Sequence, residues 1–70
     1  MPRAPRLTAS EAESLLLQAG FELLRSKGSH RIYGKGELRV TVPFHSGKVL
    51  HPRIVKQVVE MIEESRLAGN

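Results

Sequence analysis

The spacing of apolar residues along this chain switches from a helical period to a strand period and back again. Ala12, Leu15, Leu16 and Ala19 recur at three- and four-residue steps, which places them on one face of a helix. Thr8-Ala9-Ser10-Glu11 has the form of a capping box, in which the first and last residues satisfy orphan N–H groups of the first turn. Gly20 supplies the stop, since glycine enters the left-handed cap conformation without strain. The pattern predicts a helix over Ala9–Ala19.

From Phe21 the alternation is that of strands. Phe21–Ser26 alternates apart from Leu24. Lys27-Gly28-Ser29 is a turn, His30–Tyr33 a second strand, and Gly34-Lys35-Gly36-Glu37 a second turn. In Leu38–Val42, Leu38, Val40 and Val42 share a face opposite Arg39 and Thr41, and Pro43 ends the ladder. After a loop through Leu50, Pro52 sits at a first helical position, where its fixed φ fits. Ile54, Val55, Val58, Val59 and Ile62 then form the stripe of a helix over Pro52–Arg66. The β-branched run makes this helix weak alone, so it needs a sheet beneath it. The expected fold is α+β, ordered α-β-β-β-α, with a three-stranded antiparallel sheet and both helices on one face. Double-stranded-RNA-binding domains have this order. The expected domains are a flexible basic arm over 1–7, one globular domain over 8–67 and a frayed tail over 68–70.

The chain has 70 residues, 40% of them hydrophobic, which allows one small core. It has no cysteine, so disulfides, thiolate metal sites and cysteine nucleophiles are excluded, and a reducing cytoplasm is expected. No apolar run is long enough to span a membrane, and no targeting segment is read. The net charge of +4 is unevenly placed: eight of the eleven Lys/Arg lie between residues 21 and 59, against only Glu22 and Glu37. A basic stripe of this kind fits a polyanionic partner, and it equally fits a solvated surface.

The text Gly20-Phe21-Glu22-Leu23-Leu24-Arg25, Lys27-Gly28-Ser29-His30-Arg31-Ile32-Tyr33 and Arg39-Val40-Thr41-Val42-Pro43-Phe44-His45-Ser46-Gly47-Lys48 resembles the HicA family, over about Glu11 to Ile62. Members show a "GF…R…GSH" run and then a "tVP.H" run before the last helix. The resemblance implies a toxin of a type II toxin–antitoxin pair, an endoribonuclease that cleaves mRNA without metal or cofactor, on a fold like that of double-stranded-RNA-binding domains. It implies His30 as the catalytic residue and a HicB-type antitoxin as partner. Many members carry Gly-Thr-Leu at the start of the last helix; here the text is Leu50-His51-Pro52-Arg53-Ile54.

The chemistry suits the residues. RNA carries its own nucleophile, the 2′-hydroxyl. Cleavage needs a base for that proton, cations around the phosphorane oxygens and an acid for the leaving 5′-oxygen. Histidine, with an unperturbed pKa of about 6.5, serves as base or acid, and Arg or Lys as the cation. If Ile32 faces the helices, His30 lies at the rim of the core. From position alone, a packed strand-end histidine is the stronger reading; the resemblance reverses it. Lys27, Ser29, Arg31, Tyr33, Arg39, His45 and Lys48 are the expected RNA contacts. Arg31, Tyr33, Arg39 and Thr41 are expected on the open face, with Tyr33 stacking on a base. Lys48, His51 and Arg53 are candidate anion binders at the start of a helix. His45 and His51 are too few for a metal centre, and no metal is expected. The alternative function is a non-catalytic double-stranded-RNA-binding module.

Overall fold

The computed structural model describes residues 6–45 and 48–67. The element order is α1 (Ala9–Gln18), β1 (Glu22–Lys27), β2 (His30–Lys35), β3 (Leu38–Pro43) and α2 (Pro52–Leu67). The strands form one antiparallel sheet in the order β1-β2-β3. Both helices cover the same face, and Ala9, Ala12 and Leu16 of α1 share one core with Val55 and Val58 of α2 and Tyr33, Val40 and Val42 of the sheet. Residues 1–5 of the expected arm and the expected tail lie outside the described residues. Leu7, read as the end of that arm, packs against the core, and its carbonyl accepts from the Leu50 N–H at 2.7 Å.

The helix ends follow the local chemistry. The capping box is formed: the Glu11 N–H donates to Thr8 Oγ1, and the Thr8 N–H donates to the Glu11 carboxylate. At the other end Gly20 adopts φ +99°, the Gly20 N–H reaches the Leu17 carbonyl and the Phe21 N–H reaches that of Leu16. This is a Schellman stop, with Phe21 buried as its hydrophobic partner. Lys35 Nζ donates to the Ala19 carbonyl at 2.7 Å, placing a cation on the negative end of the helix.

The faces of β2 differ from the expected ones. Tyr33 pairs with Val40 and Arg31 with Val42, so both point toward the helices; Ile32 pairs with Thr41 and lies on the open face. The sequence His30–Lys35 offers one apolar residue on each face, and Ile32, not Tyr33, is the one expected to face the helices. Tyr33 takes the core instead because Glu13 of α1 accepts its hydroxyl proton. A one-residue choice of register exchanges the whole face.

β1 has its own irregularity. Its register slips between Leu23 and Arg25, so Leu24 is the extra residue of a β-bulge. That extra residue carries Arg25 and Lys27 to the open face, opposite Ile32 and His30. Gly34 makes room for this arrangement. A Cβ there would lie 2.5 Å from Leu24 Cδ1 and 2.8 Å from an Arg39 guanidinium nitrogen, so both side chains lie across its backbone.

Candidate nucleic-acid interface

The open face of the sheet carries Arg25 and Lys27 from β1, His30 and Ile32 from β2, and Arg39 and Thr41 from β3. All but Ile32 are exposed. His30 opens β2 directly after the Gly28-Ser29 turn, with Lys27 and Pro43 as its cross-strand partners. The Phe44 N–H donates to the Ser29 carbonyl at 2.6 Å, which ties the chain after β3 to the turn before His30. His30 is therefore not at the core rim. Its imidazole is exposed beside Lys27 and Arg25, which does not fit a packed strand-end role.

Two of the residues expected on the open face lie on the sheet's other side. Tyr33 is fully buried, so it cannot stack on a base from the open face. Arg31 points to the helix side, where it donates to Glu13 Oε2 at 3.0 Å and lies 4.1 Å above the Phe44 ring. Both residues instead form an anchor between sheet and helix on the Glu13 carboxylate. Lys27, Ser29 and Arg39 stay at the open face or its turn, but one Arg39 nitrogen is held by the Gly36 and Leu38 carbonyls at 2.8 Å each. Arg25 joins the set unexpectedly, and its sequence signal is the alternation that puts it with Glu22, opposite Leu23.

Burial, then the hydrogen bond donated to Glu13, raises the Tyr33 pKa above its ordinary value of about 10; the bond that Arg31 donates to Glu13 likewise raises that of Arg31. A folded-state pKa above the unfolded one means that the folded chain holds the proton longer. Tyr33 thus stabilises the fold below about pH 10, and this contribution is lost as pH rises through the folded pKa. Tyr33 is the only tyrosine and there is no tryptophan, so tyrosinate absorbance reads this group directly. The native chain is expected to show no tyrosinate at pH 10.5 and then to ionise together with unfolding. Free titration near pH 10 in the folded state would contradict the burial argument.

His45, Lys48 and His51 gather with Pro43, Val49 and Ile54 around a cleft of about 260 Å³ between the end of β3 and the start of α2. The backbone donors at the start of α2 already have partners. Pro52 has no N–H. The Arg53 N–H donates to His51 Nδ1 at 3.0 Å, and the Ile54 and Val55 N–H groups donate to the His51 carbonyl. The first-turn donors are used, so an anion would have to be held by side chains. His51 is the N-cap of α2, and His51→Ala is expected to lower stability by about 1 kcal/mol in urea unfolding, with His51→Asn recovering most of it. Equal losses in the two variants would rule out the capping role. Among the described residues, no group of three or more His, Cys, Asp or Glu is placed to hold a metal ion.

The fold is an α+β helix–meander–helix domain with a basic sheet face. The family model of the HicA toxin of bacterial toxin–antitoxin systems matches residues 9–66, so the chain belongs to the HicA toxin family. As a toxin of such a pair it has an antitoxin for a partner. No curated protein and no solved structure matches it. No helix among the described residues is long and apolar enough to cross a membrane.

Proposed function

We propose that this chain is a metal-independent endoribonuclease that cleaves mRNA at its open sheet face, with His30 as general acid or base. The observation that carries the reading is the placement of an exposed histidine, between a turn and a strand, on the same face as Arg25 and Lys27. His30 takes the 2′-hydroxyl proton as that oxygen attacks phosphorus, or returns a proton to the departing 5′-oxygen. The products are a 2′,3′-cyclic phosphate and a free 5′-hydroxyl. Lys27 and Arg25 neutralise charge on the non-bridging oxygens. Ser29 and Arg39 flank the path of the strand.

The same face is the one an inhibitor has to cover, and a HicB-type antitoxin that shields His30 and its cations fits the pairing of toxin with antitoxin. Action on mRNA places the chain in the cytoplasm. The test is incubation of purified chain with single-stranded RNA in EDTA. Cleavage ending in 2′,3′-cyclic phosphate supports the reading. Salt-sensitive binding with intact RNA after long incubation overturns it in favour of a non-catalytic RNA-binding module.

A further inference from the structure

The geometry points to a second substrate site: the cleft between the end of β3 and the start of α2 seats one nucleotide of the RNA, next to the one held at His30. This inference rests on the ribonuclease reading and deepens it. Pro43, which forms part of the cleft wall, is the cross-strand partner of His30, and the next residue's N–H is bonded to the Ser29 carbonyl. One wall of the cleft, Pro43, therefore stands beside His30, and an RNA strand held at His30 has the cleft for a neighbour.

The lining fits a nucleotide. Pro43, Val49 and Ile54 offer an apolar wall to the flat face of a base, and Val49 is 56% exposed, so the wall is open to a ligand. His45, Lys48 and His51 stand around it. His51 Nδ1 is an acceptor for the Arg53 N–H, which leaves the proton of the neutral ring on Nε2. The cleft is thus edged by a donor of fixed tautomer, a lysine cation and a further imidazole, a set that matches base acceptors and phosphate oxygens. Because the helix start has no free first-turn N–H, these side chains alone supply the polar contacts. At about 260 Å³ the cleft lies just below the range of about 300–1,000 Å³ that encloses drug-sized ligands, which suits one nucleotide and not a longer segment. The site would make cleavage depend on the base beside the cut bond.

The probe is a 2′-O-methyl tetraribonucleotide, which binds but cannot be cut because its internal nucleophile is blocked. In NMR titrations of the intact chain, it is expected to shift the amides of Val49, Leu50 and Ile54 along with those around His30. Val49→Trp fills the cleft and is expected to weaken binding about 10-fold, or about 1.4 kcal/mol. In the cleavage assay the same variant raises KM and leaves kcat within about 2-fold, the signature of lost uniform binding. Lys48→Glu provides an independent variant with the cleft wall intact, and unfolding midpoints confirm that both fold. Shifts confined to the open face, or unchanged affinity in both variants, overturn the cleft. Equal shifts with inorganic phosphate alone also overturn it, since they leave an anion contact and no base site. If cleavage continues in those cases, the ribonuclease reading stands without the cleft. Cleft shifts in a chain that cuts no RNA support the cleft and remove only the reading of the chemistry.

Discussion

Replacing His30 by alanine is expected to reduce RNA cleavage in EDTA by about 10³-fold or more, within the range of about 10²–10⁴ that a positioned acid or base contributes. The same change should leave the unfolding midpoint almost untouched, within about 0.5 kcal/mol, because the side chain is exposed and its strand is held by backbone pairing on both sides. The separation of the two effects is the informative result. Expression of the variant should not arrest growth, whereas wild type should. A fully active or fully toxic His30→Ala chain would remove the catalytic assignment. A variant that lost activity only because it unfolded would show itself in the melting curve.

Glu13→Ala is the change expected to cost most stability without touching the open face. The Tyr33 hydroxyl is buried, and Glu13 is its acceptor. Removing that acceptor leaves a buried donor unsatisfied, at a cost of about 1–3 kcal/mol. The ion pair with Arg31 is partly solvated, with side-chain exposures of 39% and 25%, and adds little. A loss of about 2–3 kcal/mol is a large share of the stability of so small a domain, roughly 0.05–0.15 kcal/mol per residue. Tyr33→Phe removes the donor together with the need for an acceptor. The double variant Glu13→Ala/Tyr33→Phe should therefore be more stable than the sum of the single losses implies, by about 1 kcal/mol. Urea unfolding measures all four chains. A Glu13→Ala loss below about 0.5 kcal/mol, or strict additivity, would show that the bond contributes nothing.

Those two residues also mark where sequence reading succeeded and where it did not. Elements were legible wherever the signal was local. The Thr8–Glu11 box, the Gly20 stop and Pro52 at the head of α2 each act within a few residues, and each stands where the spacing put it. The faces of β2 were not legible, because they depend on Glu13, 18 and 20 residues away from Arg31 and Tyr33. A tyrosine beside arginine on a strand reads as a stacking platform until its hydroxyl is seen to have a partner inside. The helical stripes are also narrower than the period implies. Leu15 and Val59 fall on those stripes by period, yet they are 39% and 43% exposed. In the candidate site, His30 was named through family resemblance, not geometry. The alternation puts Arg25 with Glu22, opposite Leu23, as the structure does, but nothing in it joins that face to His30; the capping role of His51 stayed hidden because an imidazole is an uncommon cap.

β1 is exposed at all six positions, pairs on one side only and has Leu23 and Leu24 about half open to water. Strands of this kind are the first to open in native-state hydrogen exchange, since little apolar surface is released when they leave. β2 and β3 keep their ladder when that happens, and His30 keeps its place. Arg25 and Lys27 do not. In hydrogen exchange of the proposed ribonuclease, the β1 amides of Arg25 and Lys27 are expected to exchange before those of β2 around His30. Whatever pins β1 in place sets how often the phosphate charge is met, and an antitoxin gripping that strand could tune the toxin's activity without reaching the histidine at all.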